Sequence, residues 1–260
     1  MPTDSFTSQT AALRALGGKR VWSLMISLFG DLAQDAGQSI DGPVLSAIMT
    51  GMQVKPEAAR VALHRLRNYG WIVSEKSGRI SQHSLSAKGR DESAAASPRI
   101  YANPNRQGGA WQLVLTQDAR DGEMATRGFA SVAPRVYVGP SENSIPDNAL
   151  SFAGDQVPDW LRAQAEPEDL RQGYADLLKT LTALKADLPQ AEALNPINVA
   201  ILRCLIVHNW RRLVLKHPVL PAPLVSKDWP GHMCHLAVCD LLARFPRPAL
   251  KEIEEYRAAA

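Results

Sequence analysis

Cysteine is scarce in this chain. Three occur in 260 residues, Cys204, Cys234 and Cys239, all in the last quarter. So few and so clustered, they cannot build a disulfide framework, and a reducing, cytoplasmic setting is the expectation. Long apolar runs are missing too. The stretch Ala200 to Leu205 is broken by Arg203 and falls far short of the ~20 residues of a membrane span, so no membrane partner is expected. Met1 to Gln9 is polar and lacks the basic-then-apolar order of a secretory signal. Catalytic signatures are equally missing. There is no phosphate-binding glycine motif, no nucleophile-elbow serine and no zinc-protease helix motif. Gly17-Gly18 and Gly108-Gly109 read as linkers. The chain is therefore not expected to be an enzyme or to carry a cofactor.

What is present supports a packed core: 45% of residues are hydrophobic and 21% are charged. The net charge of +3 is too mild to imply a polyanionic partner by itself. Its distribution is more telling. Residues 17–90 hold 10 Lys and Arg against 5 Asp and Glu, whereas residues 91–260 hold 18 against 20. Residues 55–90 alone carry 8 basic side chains and only two acids, Glu57 and Glu75.

Residues 1–16 have no sustained pattern and read as a flexible tail. From Arg20 to Ala33, Val21, Leu24, Met25, Leu28, Phe29 and Leu32 recur at helical spacing. Asp41 is placed to cap a second helix with Pro43 near its start, and Gly51 weakens its last turn. Pro56 opens a third helix that stops near Gly70, where a left-handed residue is often needed. Trp71 to Val73 and Arg79 to Leu85 read as two strands around the turn Ser77-Gly78. Ala87 to Asp91 reads as a short helix or linker, and residues 102–109 as a boundary. Beyond it, short strands at Trp111–Leu115, Arg135–Val138 and Ala149–Phe152, with a partly helical stretch at 118–130, suggest an α+β unit. Helices are then expected at 166–187, 196–216, 231–245 and 248–257.

Three helices followed by a hairpin is the element order of a winged helix-turn-helix, whose last helix enters the DNA major groove. At about 100° per residue, Arg60, His64 and Arg67 share one face of the third helix. Ala58, Ala62, Leu66 and Tyr69 share the opposite face. Asn68 and Arg65 flank the basic face, and Arg65 has the alternative of pairing with a helix carboxylate such as Asp31. Arginine gives guanine two parallel donors, and asparagine pairs with adenine. Lys55 at the helix start, Lys76 and Arg79 at the hairpin turn, and His83, Lys88 and Arg90 after it are placed for phosphates.

Several segments in order resemble the PaaX family of bacterial transcriptional repressors of phenylacetate degradation. They are Ser27-Leu28-Phe29-Gly30-Asp31, Ala59 to Leu66 running on to Gly70-Trp71, and Leu85-Ser86-Ala87-Lys88-Gly89-Arg90. Trp111 to Leu115, Arg127-Gly128-Phe129, Arg135 to Pro140, Leu205 to Arg212, His217-Pro218, Leu220-Pro221 and Asp228-Trp229-Pro230-Gly231 continue the series. The resemblance covers nearly all of the chain after residue 17. It departs at His64, where the family pattern leads one to expect a small hydroxyl residue, and in a short segment between Leu115 and Arg127. It implies a mostly helical α+β protein: a winged helix-turn-helix at 17–101, a small ferredoxin-like domain at 110–158, and a helical dimerisation and effector domain at 159–260. It further implies a homodimer on a palindromic double-stranded operator, released by an acyl-CoA effector such as phenylacetyl-CoA.

Other candidates are weaker. His208, Arg211 and Arg212 are a candidate set for CoA phosphates, because arginine forks match phosphate geometry; helix–helix ion pairing is the competing explanation. His232, Cys234, His235 and Cys239 look metal-like, but no second ligand pair is near in sequence, so no metal is expected. Asp118 is the one obvious strand-end acid for a rival reading, a nucleic-acid processing enzyme built on the middle domain. A winged helix that binds protein is a third reading.

Overall fold

The computed structural model describes residues 2–18, 20–104, 109–188 and 193–259. These fall into two compact units: residues 1–101 with 180–211 and 238–260, and residues 102–179 with 212–237. Helix is the dominant element, and the two sheets are small and antiparallel. The boundary expected at 102–109 lies partly outside the described residues, as does Gly108 of the expected Gly108-Gly109 linker.

The first unit opens with α1 (Pro2–Gln9) and α2 (Ala11–Leu16). The expected flexible tail is thus helical. Its sparse apolar residues are spent inward: Phe6 and Leu13 are buried, and Thr10 returns its hydroxyl to the Phe6 carbonyl. Next come α3 (Val21–Leu32), β1 (Ile40–Asp41), α4 (Gly42–Gly51) and α5 (Pro56–Asn68). Asp41 precedes α4 but does not cap it through its side chain. Its Oδ1 instead accepts from Gln82 Nε2 at 3.1 Å. Gly51 has a packing role beyond its weak helix propensity, because a Cβ there would lie 2.3 Å from Ile201 Cδ1.

The hairpin β2 (Ile72–Ser77) and β3 (Ile80–Leu85) pairs Ser77 with Ile80, leaving Gly78-Arg79 as the turn. Gly78 has φ +62°, a conformation that favours glycine. β1 joins the far side of β3, giving the order β1-β3-β2. The expected short helix after the hairpin is longer: α6 runs from Ala87 to Ile100, and Pro98 in its last turn does not stop it. Ser86 caps α6 by accepting from the Gly89 amide at 3.0 Å, and its hydroxyl donates to the Gly70 carbonyl. Gly89 must be glycine here, because a Cβ would approach the Trp71 carbonyl oxygen to 2.1 Å.

The core of this unit is built around α10 (Pro196–Val214), buried on every face from Val199 to Trp210. A helix buried all round must satisfy its polar groups internally. Arg203 pairs with Asp31 of α3 at 2.9 Å and also donates to the Leu242 and Phe245 carbonyls. Asn209 donates to the Leu13 carbonyl and Trp210 to the Ile100 carbonyl. These bonds reach α2, α3 and α6, which is why residues from both chain ends share one unit. α11 (Pro230–Arg244) contributes its residues from 238 onward, and α12 (Leu250–Ala259) follows it.

In the second unit β4 (Trp111–Leu115), β5 (Ala130–Ala133), β6 (Val136–Pro140) and β7 (Leu150–Ala153) form a sheet of order β5-β6-β4-β7. The short strand β5 is additional to the expected ones. The helix α7 (Asp121–Thr126) links β4 to β5, and no regular helix links β6 to β7. One cluster packs Trp111, Val132, Val138 and Val157 against Leu161 of α8 (Asp159–Ala165). A second packs Val114, Phe129 and Tyr137 against Met124 of α7. The helix α9 (Glu168–Asp187) contributes Tyr174, whose ring meets Trp229 edge-on at 5.5 Å.

Candidate nucleic-acid interface

The α5 helix is amphipathic in the way its spacing requires. Ala62 and Leu66 are buried, with Ala58 and Leu63 half-buried beside them. Arg60, His64, Arg67 and Asn68 are all exposed. Lys55 precedes the helix in extended conformation, exposed at its N-terminus, and Pro56 occupies the first turn. Glu57 lies 3.9 Å from Arg60 with both side chains mostly in solvent, a pair worth little in water. Asn68 Nδ2 and His64 Nδ1 stand 3.4 Å apart, one helical turn from each other.

Two further residues shape this face. Val61 is 69% exposed between the polar groups, an apolar patch of the kind that meets a thymine methyl. The helical wheel places it there, but attention to charge alone passes it over. Arg65 does not pair with Asp31. Its guanidinium lies 5.1 Å from the Trp22 ring and 5.3 Å from the Tyr69 ring. Tyr69, expected on the apolar face, is half-exposed as part of this stack. Such a sandwich fixes the C-terminal end of α5 against α3.

At the hairpin, Lys76 and Arg79 are exposed at the tip. Lys88 is exposed and donates to the Tyr69 carbonyl at 3.2 Å, which ties α6 to the end of α5. Arg90 donates to the Leu85 carbonyl at 2.8 Å. His83 is not a surface group. The inward set of β3 is His83 and Leu85, and the His83 ring pairs with Ser74 Oγ at 2.8 Å. The period-2 alternation back from Leu85 carries this signal.

Burial holds His83 below the ordinary imidazole range, Arg67 adds to the shift, and Asp41 opposes it. The unfolded chain therefore takes up a proton at a pH where the folded ring is still neutral. The stability from this ring is present above its ordinary pKa of 6.5 and is lost as pH falls towards the lowered folded value. The melting temperature is expected to fall between about pH 7.5 and 5.5, and less steeply in His83→Gln. His235, lowered likewise by burial, supplies part of the remaining slope. Equal slopes in the two proteins would contradict the assignment.

Two of the three expected effector residues, His208 and Arg211, meet at Ser27 Oγ. His208 is buried, its Nδ1 3.2 Å from Ser27 Oγ. Arg211 is half-buried and donates to the same Ser27 Oγ at 3.2 Å. Arg212 is exposed and belongs to the second unit. Cys234 is buried, which pushes its thiol up to about 12, and His235 Nε2 is bonded to the Ala102 carbonyl. Among the described residues no group of three or more His, Cys, Asp or Glu is placed to hold a metal. Asp118 is exposed in the loop after β4. No helix among the described residues is long and apolar enough to cross a membrane.

The family model described as PaaX-like protein matches residues 20–89, and that of the PaaX-like protein C-terminal domain matches residues 166–254. Together they take in more than half of the chain, which belongs to the PaaX-like family. One relative, the transcriptional repressor PaaX of Escherichia coli (strain K12), is 29% identical over 262 residues, covering 90% of this chain and 83% of that protein. That relative is a regulator, and the family is one of regulators and not of enzymes. Among solved structures, an uncharacterized protein from Mycobacterium tuberculosis is similar with a TM-score of 0.51 at 18% identity, covering 91% of this chain and 97% of that one. At that identity the likeness speaks for the fold alone.

Proposed function

We propose that this protein is a cytoplasmic, homodimeric, DNA-binding repressor of an aromatic-acid (phenylacetate) catabolic operon. An acyl-CoA effector such as phenylacetyl-CoA releases it from its operator. The observation that carries this reading is the exposed face of α5, with Arg60, Val61, His64, Arg67 and Asn68 beside a hairpin tipped by Lys76 and Arg79. In this reading residues 17–101 are a winged helix-turn-helix, with α4 and α5 as its helix pair and β2–β3 as its wing. Arg60, His64, Arg67 and Asn68 read bases; Lys55, Lys76, Arg79 and Lys88 take phosphates. Residues 110–158 are a reduced ferredoxin-like domain. The strand order β5-β6-β4-β7 supports this as a split β-α-β arrangement, with α7 its one remaining crossover helix. Residues 159–260 contribute dimer and effector contacts, with Arg211 and Arg212 as candidate phosphate ligands.

Selection from a random duplex library tests the reading. The expected product is a palindrome with half-sites one helical turn (~34 Å) or a multiple apart. Phenylacetyl-CoA, free phenylacetate and other acyl-CoA thioesters are then titrated onto the complex. Release by a thioester is expected; release by none contradicts the effector assignment. Joint Lys76→Ala and Arg79→Ala replacement is expected to flatten the log affinity against log salt plot by about 1 per residue, with sequence preference retained.

A further inference from the structure

Where α2, the start of α3, the α4–α5 turn and α10 meet, within the first unit, lies a groove of about 270 Å³. Leu13, Leu24, Met52 and Leu205 give it an apolar floor. Its charges are of one sign: Arg14 and Arg20 line it, and no Asp or Glu does. Gly17-Gly18, which the sequence offers as a linker, lies between the two arginines and puts no side chain into the groove. Arg14 is half-buried, with Nη1 donating to Thr10 Oγ1 at 2.6 Å and Nη2 to the Thr7 carbonyl. Both acceptors are neutral, so its charge is left unbalanced. Burial pulls its pKa down, and no acid opposes the shift. Arg20 is exposed, and among the described residues neither arginine forms an ion pair.

Two unbalanced cations beside an apolar floor suit a ligand with an apolar end and more than one negative charge. A monocarboxylate would answer one arginine only, whereas a phosphate or pyrophosphate answers both. The groove also touches the element that aims α5. Met52, Gln53 and Val54 line it, three of the four residues between α4 and α5. Gln53 has φ +61°, a left-handed conformation that is unfavourable for a residue with a side chain. The turn is held by the Gln53 amide on the Thr50 carbonyl at 2.8 Å and the Val54 amide on the Met49 carbonyl at 3.0 Å. Lys55 and the first turn of α5 follow directly, so a ligand that displaces this turn re-aims the exposed face of α5.

We propose that this groove takes the acyl end of the acyl-CoA effector, with Arg14 and Arg20 beside its phosphates, and that occupancy shifts the α4–α5 turn so that α5 leaves its DNA. The placement rests on the acyl-CoA reading above. It moves the phosphate contacts away from Arg211 and Arg212, neither of which lines the groove. At about 270 Å³ the groove holds the acyl group and the adjoining part of the pantetheine arm, and the nucleotide stays in solvent. Release requires that the ligand bind the shifted turn better than the turn of the DNA-bound state.

The test uses the full chain, first without DNA, by calorimetry. Phenylacetyl-CoA is compared with coenzyme A, which lacks the acyl group, and with S-phenylacetyl-N-acetylcysteamine, which lacks the phosphates. Phenylacetyl-CoA is expected to bind tightest. Arg20→Gln is expected to weaken it about 10-fold or more and to leave the phosphate-free thioester unchanged. Val21→Trp, which fills the groove from α3, is expected to weaken both thioesters about 10-fold or more. On the selected duplex, each variant should need correspondingly more phenylacetyl-CoA for half release. Should Val21→Trp fail to fold, Arg20→Gln, at an exposed side chain, decides. No binding of any thioester by the unaltered protein would overturn the effector reading and this placement with it. Binding and release in the unaltered protein that both variants match would overturn the placement alone. Coenzyme A binding as tightly as its thioester, or equal loss of both thioesters in Arg20→Gln, would overturn it too.

Discussion

Replacing Asp31 by alanine is expected to cost the fold about 3–5 kcal/mol in equilibrium urea unfolding. The Asp31 and Arg203 side chains are only 1% and 6% exposed. Both Asp31 oxygens accept from Arg203, and Tyr101 donates its hydroxyl to Oδ1 at 2.8 Å. Removing the carboxylate strands the Arg203 charge in the core and frees the Tyr101 hydroxyl. Joint replacement, Asp31→Ala with Arg203→Leu, should recover much of the loss, because an apolar pair leaves no charge to solvate. This distinguishes a stranded charge from a simple cavity. A loss below about 1 kcal/mol for Asp31→Ala alone would contradict the structure.

The second large effect concerns DNA. Arg60→Ala and Arg67→Ala are each expected to weaken specific binding by about 1–3 kcal/mol, roughly 5- to 150-fold. Stability should be nearly untouched. Both side chains are exposed, and the ion pair of Arg60 with Glu57 is solvated. Loss of Arg67 also removes a charge that disfavours His83 protonation, so His83 should titrate higher in Arg67→Ala. The readouts are affinity for the selected duplex at fixed salt and the His83 titration by NMR. Wild-type affinity in both variants would remove α5 as the reading element.

The elements around this face were legible because their signals are local. The apolar spacing of Val21 to Leu32, Pro56 at a helix start, Gly70 at a helix end and Gly78 in a turn each act within a few residues. The bounds of α3 and α5 follow closely, whereas β2 runs four residues past the strand expected at Trp71 to Val73. What was not legible depends on distant partners. Nothing near Asp31 announces Arg203, 172 positions away. Phe6 and Leu13 look like accidents of a polar segment until a core takes them up. His83 reads as one more basic residue until its strand register turns it inward. Arg65 reads as a groove or ion-pairing residue until Trp22 and Tyr69 take its guanidinium between them. The basic face of α5 was visible; Val61 within it was not, because an uncharged valine carries no electrostatic signal for a groove.

The central claim is that the exposed face of α5 lies against DNA bases. His64 stands at the centre of that face, opposite the buried Ala62 and Leu66. Replacing His64 by photoreactive benzoylphenylalanine and irradiating the complex with the selected duplex tests the claim directly. Crosslinks to bases within each half-site, on the major-groove side, are the result this account predicts. Crosslinks confined to nonspecific DNA, or none from a variant that still binds the selected duplex, would contradict it.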